Sequence, residues 1–181
     1  FGDLIPLKLK CDVKKLFDET EEFVYLKYNP RKDIERYGLS ITSLDGSLNG
    51  IDLDSIKEYN KENNTEYDEL SFNKFTKVYH TSSEIQKIVE PFKNHIGRSH
   101  ILSLQEGGYF PPHRDLPVYV EQQNSLRILV PLKGCNPPDM YFMYEDKPLH
   151  FEHGRAYFLN TNKSHNLFSF KGSEMIVLNI K

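Results

Sequence analysis

The sequence predicts a mainly β protein, a sandwich or jelly roll with helices from its first part packed on one sheet. Three observations predict it. From Arg98 onward, short runs of alternating apolar character follow one another at 98–105, 117–121, 126–132, 140–145, 148–152, 155–160, 165–170 and 174–180. Turn-forming residues separate them, among them Gly107-Gly108, Pro111-Pro112, Lys133-Gly134, Pro137-Pro138, Gly154, Asn162-Lys163 and Lys171-Gly172. Eight short strands at such spacing suit two packed antiparallel sheets. Apolar residues at helical spacing occur only before Arg98.

The elements follow in order. Asp12 to Glu22 carries Val13, Leu16 and Phe17 on one face and charges on the other, which predicts a short helix. Phe23 to Tyr28 reads as a short strand stopped by Pro30, and Arg36 to Thr42 as a second, closed by the turn pair Asp45-Gly46. Residues 52–69 are dense in Asp, Glu, Lys and Asn and read as a solvated loop or surface helix. Ser82 to Asn94 places Ile85, Ile88, Val89 and Phe92 at i, i+3, i+4 and i+7, with Ser82 or Ser83 as N-cap and Pro91 as the point where the helix ends or kinks. No repeat or low-complexity linker divides the chain. Residues 1–181 are therefore expected to form one domain: a mixed part over 1–97 and the β core over 98–181.

Composition narrows the functional classes. At 181 residues, 38 % hydrophobic and 27 % charged, the chain can bury a core. The net charge of −3 gives no electrostatic footprint for nucleic acid. No apolar run approaches the roughly 20 residues of a membrane helix. Cys11 and Cys135 make no disulfide framework or CxxC pair. The beginning of the sequence lacks a basic n-region, so no signal peptide is expected. A reducing, cytoplasmic setting is the expectation.

Seven histidines are the candidates for chemistry, and two of them open an H-x-[DE] triplet, His113-Arg114-Asp115 and His150-Phe151-Glu152. Seven histidines among 26 acidic residues in 181 produce about one such triplet by chance. Context separates the two. His113 follows paired glycines and paired prolines at the mouth of a strand, where residues i and i+2 face one side. His165 opens a later run, 50 residues after Asp115, and distant strands of a jelly roll can lie side by side. Two imidazoles and one carboxylate leave three positions open on an octahedral metal, the facial set used by non-haem Fe(II) oxygenases. The residues 150–152 lack a matching third ligand and read as surface or strand-edge positions.

With their flanks, residues from about Arg98 to Lys181 resemble the aspartyl/asparaginyl β-hydroxylase-like branch of the 2-oxoglutarate/Fe(II)-dependent dioxygenases. The segments that carry the likeness are Gln105 to Asp115, Ser125 to Leu132, Gly154 to Asn160 and Ser164-His165-Asn166, with Arg36 to Ser40 before them. The resemblance implies a double-stranded β-helix of cupin type. It also implies hydroxylation of an amino acid or peptidyl C–H bond with O₂, Fe(II) and 2-oxoglutarate, giving succinate and CO₂. It casts His113, Asp115 and His165 as iron ligands and Arg127 as a contact to 2-oxoglutarate. One departure stands out. The family's arginine for the far carboxylate would fall ten residues after His165, and Met175 is there. Arg127 or Lys171 is left to hold that carboxylate, or the co-substrate site is altered. Two other classes stay open: a cupin-type metal enzyme without 2-oxoglutarate, and a metal-free jelly-roll binding module.

Overall fold

The computed structural model describes residues 4–115 and 126–180. In chain order these form β1 (Leu4–Lys10), α1 (Val13–Thr20), β2 (Leu26–Lys27), β3 (Arg36–Ser40), β4 (Thr42–Ser43), α2 (Ile56–Asn63), β5 (Lys74–Phe75), α3 (Lys77–Thr81) and α4 (Ser83–Val89). Then come β6 (His100–Leu104), β7 (Tyr109–His113), β8 (Leu126–Lys133), β9 (Met140–Tyr144), β10 (Lys147–Pro148), β11 (Arg155–Leu159), β12 (His165–Ser169) and β13 (Ser173–Ile180). The run at 117–121 lies outside the described residues.

A seven-stranded sheet, ordered β1-β11-β8-β13-β6-β3-β2, faces a four-stranded sheet, ordered β10-β9-β12-β7; β4 and β5 make a small ribbon. The strand pairs are antiparallel. This is the two-layer β-sandwich that the run spacing predicts. Two apolar layers follow from strand alternation. On the outer face of the large sheet, Leu39, Ile101, Ile128, Val130, Ile176 and Leu178 pack against Leu16 of α1, Val78 of α3 and Ile85 and Ile88 of α4. Between the sheets, Leu102, Leu129, Leu159 and Met175 meet Met140, Phe142 and Leu167. The helices cover one sheet, as expected.

The helices are shorter than their sequence patterns. The Asp12 carboxylate caps α1 by accepting the Lys15 N–H at 3.0 Å, and Ser82 caps α4 by accepting that of Ile85 at 3.2 Å. The helix expected to reach Asn94 becomes a 3-10 turn over Glu90–His95, with Pro91 at its start. The strand expected over 23–28 is reduced to the two residues of β2.

Four larger differences have physical causes. Leu4–Lys10, unread as an element in the sequence, is the edge strand β1 against β11, where Pro6 is tolerated because an edge leaves donors unused. Pro111-Pro112 do not break the chain but lie inside β7, at the end of the smaller sheet's order. The charged stretch 52–69 is not uniformly solvated, since Asp52 and Glu69 are buried. Each carboxylate has a partner from the sheet side: Ser40 donates to Asp52 at 2.7 Å, and Arg98 grips Glu69 through two 2.8 Å bonds. The strand expected over 148–152 shrinks to β10, because the Phe151 backbone bonds the Asn136 side chain instead of a neighbouring strand.

The paired glycines before the site are explained by the β6–β7 turn. Gly107 has a left-handed φ of +79°. At Gly108 a Cβ would stand 2.3 Å from the Glu35 carbonyl oxygen. This turn sends β7 toward β12 and so places His113.

Candidate metal centre

β7 and β12 pair antiparallel, and His113 stands directly opposite His165 in their register. That pairing closes the sequence gap, and the two imidazole centroids are 4.3 Å apart. Just past the end of β7, the Asp115 backbone N–H donates to the Thr161 carbonyl at 2.9 Å, pinning the strand exit to the β11–β12 turn. One ligand atom from each of His113, Asp115 and His165 lies within 4.8 Å of the others. The three residues expected to converge do converge.

The donor set fits a metal ion in its chemistry as well as its spacing. His113 Nδ1 lies 2.7 Å from the Pro111 carbonyl oxygen, and His165 Nδ1 lies 2.9 Å from that of Lys163. A carbonyl only accepts, so each Nδ1 carries the proton and each Nε2 presents its lone pair. Such outer hydrogen bonds orient metal-binding imidazoles. His113 Nε2 is 3.6 Å from Asp115 Oδ1. The Phe142 ring stacks on His165 at 6.0 Å. Burial first, with the Arg127 charge nearby, holds the His165 pKa below its usual range, while the bond to Lys163 and the Asp115 charge work the other way. Burial alone would raise the Asp115 carboxyl. Arg127, then His165 and the Thr161 side chain, overcome it and keep the carboxyl below the usual range.

Arg127 lies beside these ligands. Its Nε donates to Asp115 Oδ2 at 3.2 Å, leaving Oδ1 turned toward His113, and its Nη1 is buried without a partner among the described residues. A cavity of about 150 Å³ opens from the three ligands, with Arg127, Arg98, His100, Tyr28 and Thr161 on its polar side. Leu102, Leu129, Phe142, Leu167, Met175 and Val177 form the apolar side. The alternation of β13 left open which of its faces points inward. The structure turns Met175 and Val177 to the cavity and Ile176 and Leu178 to the helices. Met175 stands four residues along β13 from Asn179, the register partner of Arg127, a distance of about 13 Å along the strand.

Lys171 is a correction to the sequence reading. It sits in the β12–β13 turn with its side chain 70 % exposed, paired with Asp139 at 2.9 Å, and it does not line the cavity. The residues that sequence reasoning passed over are Tyr28, Arg98 and His100. Tyr28 and His100 Nε2 share a hydrogen bond, and burial, with Arg98 and Arg127 nearby, pushes the His100 imidazole down to about 3. For Arg98 and His100 the signal in the sequence was a polar start to an apolar strand, Arg98-Ser99-His100; Tyr28 ended the run 23–28.

No protein-family model matches the chain, and no curated protein matches it. Solved structures share its architecture. A prolyl-4-hydroxylase from Pseudomonas putida is 7 % identical and superposes with a TM-score of 0.51, covering 99 % of this chain and 92 % of that one. An oxidoreductase of the 2OG-Fe(II) oxygenase family from Burkholderia pseudomallei is 9 % identical, with a TM-score of 0.48 over 93 % of this chain and 76 % of that one. A cupin superfamily protein from Desulfitobacterium hafniense is 10 % identical, with a TM-score of 0.35 over 48 % of this chain and 68 % of that one. The fold is a cupin-type β-sandwich. No described helix is long and apolar enough to cross a membrane.

Proposed function

We propose that the chain is an Fe(II)- and 2-oxoglutarate-dependent oxygenase of the aspartyl/asparaginyl β-hydroxylase-like branch. Its reaction hydroxylates a C–H bond of an amino acid or peptidyl residue in the cytoplasm, with succinate and CO₂ as co-products. The observation that carries this reading is the His113, Asp115 and His165 set: two tautomer-fixed imidazoles and one carboxylate on one side of a cavity. Iron bound there with 2-oxoglutarate and O₂ supplies the oxidising power for C–H hydroxylation.

The chain's own residues prepare that chemistry. Pro111 and Lys163 carbonyls hold both Nε2 atoms inward. Arg127 occupies one oxygen of Asp115 and keeps the other free, and its unpartnered Nη1 offers a donor to an organic carboxylate. Leu102, Leu129, Phe142 and Leu167 exclude water. The cavity is far smaller than the roughly 300–1,000 Å³ of drug-sized sites, which suits a small organic acid.

Adding Fe(II) without air and then 2-oxoglutarate tests the reading. A visible metal-to-ligand charge-transfer band is expected, and it should be absent from His165→Ala. Iron binding without the band would overturn the 2-oxoglutarate part. One observation favours that second reading, a cupin-type metal enzyme that does not use 2-oxoglutarate: among the described residues the Met175 end of the cavity carries no cation.

A further inference from the structure

Beside the metal cavity lies a larger one of about 630 Å³, and the two share Tyr28, Arg98 and Phe110 on their walls. The larger cavity is closed on one side by Ile56, Lys57 and Asn60 of α2, the surface helix of the charged stretch. The half-buried Arg98 and the buried Arg36 both face it, and their hydrogen bonds differ. Arg98 uses its whole fork: Nε and Nη2 bind Glu69, while Nη1 donates to the carbonyls of Asp52 and Asp54 at 3.1 and 3.2 Å. That guanidinium is a structural clamp.

Arg36 is its opposite. It points from β3 into the space between the sheets and is only 8 % exposed. Its Nε is buried with no hydrogen-bond partner among the described residues. Its neighbours are aromatic faces: the Phe110 ring centroid is 4.5 Å from its Cζ and the Tyr28 centroid 5.8 Å. Cation–π contact offsets only part of what a buried charge loses in leaving water. Burial indeed depresses the Arg36 pKa, with no carboxylate paired to it. A largely buried cation on a cavity wall, with one donor unsatisfied among the described residues, has the chemistry to receive an anion.

We propose that Arg36 binds a carboxylate of the substrate, placing that group in the larger cavity while the rest of the molecule reaches past Phe110 to the metal. This rests on the oxygenase reading for what happens at the metal, but the binding site stands on its own geometry. Phe110 spans the two cavities, 6.1 Å from the His113 ring on one side and stacked with Arg36 on the other. Ring contacts fix the plane of the guanidinium, which suits a planar, bidentate carboxylate. A single unpaired buried cation matches one negative charge, not the roughly two of a phosphate monoester.

The side-chain Nε–H resonance of Arg36 in ¹⁵N-arginine-labelled protein reads this directly, with its assignment made by triple-resonance spectra. The probes are L-proline and L-asparagine, whose carboxylate is on the backbone, and N-acetyl-L-aspartyl amide, whose sole carboxylate is on the side chain. L-prolinamide, L-asparaginamide and N-acetyl-L-asparaginyl amide serve as the counterparts that lack the carboxylate. At least one carboxylate should move the resonance saturably and its carboxylate-free counterpart should not; which probe does so tells a free amino acid from a peptidyl side chain. In Arg36→Gln that probe should bind roughly 10- to 100-fold more weakly, the loss of a charge-assisted pair. A resonance unmoved by every carboxylate, or moved equally by the amides, overturns the proposal even if the variant fails to fold. So does a resonance that follows 2-oxoglutarate at the concentrations that develop the charge-transfer band, because Arg36 would then serve the co-substrate. The band itself, recorded in the same wild-type protein, tells failure of the oxygenase reading apart from failure of this one.

Discussion

The two faces of the seven-stranded sheet are built from the same strands by the same alternation, yet they differ in chemistry. Facing the helices are Leu39, Ile101, Ile128, Val130, Ile176, Leu178 and Ile180, all apolar and buried. Facing the smaller sheet, the same strands present Arg36, His100, Arg127 and Asn179 among Leu102, Leu129 and Met175. Four polar atoms on that inner side, Arg36 Nε, His100 Nδ1, Arg127 Nη1 and Asn179 Oδ1, are buried without partners among the described residues. Such unsatisfied buried atoms destabilise a fold rather than support it. One face is therefore wholly apolar packing, while the other carries the candidate site.

Substitutions on each face can break or sharpen that contrast. The largest effect is expected at the ligands. His165→Ala should reduce metal affinity well beyond the roughly 10- to 100-fold typical of losing an outer partner, and activity should vanish with it; metal analysis after dialysis checks this. A variant that keeps its metal would place the ion elsewhere. On the helix face, Ile176→Ala should cost about 2–5 kcal/mol in urea unfolding while metal affinity stays at the wild-type value. A fall in metal affinity in the folded variant would show that the two faces are coupled.

Asp52 lies under the inner face, on Ser40 of β3, and burial raises its carboxyl from 3.8 to about 6. Folded protein therefore holds this proton more tightly than unfolded chain. The group contributes nothing below about pH 4, lowers stability progressively as pH rises toward 6, and is constant above. Asp52→Asn should remove that slope and gain on the order of 3 kcal/mol at pH 7. Unfolding curves at pH 4 and 7 measure it, and a variant less stable at pH 7 would mean that the ionised form is needed by Arg98. The smallest effect is expected for Arg127→Lys, which keeps the charge but loses the fork. Its 2-oxoglutarate affinity, titrated by the charge-transfer band, should drop by about 1–3 kcal/mol.

Much of this was legible in the sequence. The runs from Arg98 onward, punctuated by glycine and proline, carried the sandwich because alternation and turn chemistry are local properties. The three candidate ligands were legible because H-x-D in an extended segment is a local geometry, and His165 began a run of its own. What was lost depended on long-range partners. Asp52 and Glu69 vanished into a charged segment whose average looks solvated, because their burial follows from Ser40 and Arg98 far along the chain. Lys171 was near the site in sequence order, but its turn sends it to Asp139. Arg36 stood in a recognisable segment, yet its lack of a partner is a fact of three dimensions.

The braces on the two imidazoles are short-range in a way that bears on how the site can be moved. Each ring is held by the carbonyl two residues before it, so Pro111–His113 and Lys163–His165 each carry their own hydrogen-bonding brace within three residues. A circularly permuted chain opened at the exposed turn Glu145-Asp146 would carry both braces intact. What cannot be transplanted piecemeal is the alignment of β7 against β12, since a slip of one residue would swing one imidazole to the opposite side of the sheet and leave the other facing an empty cavity.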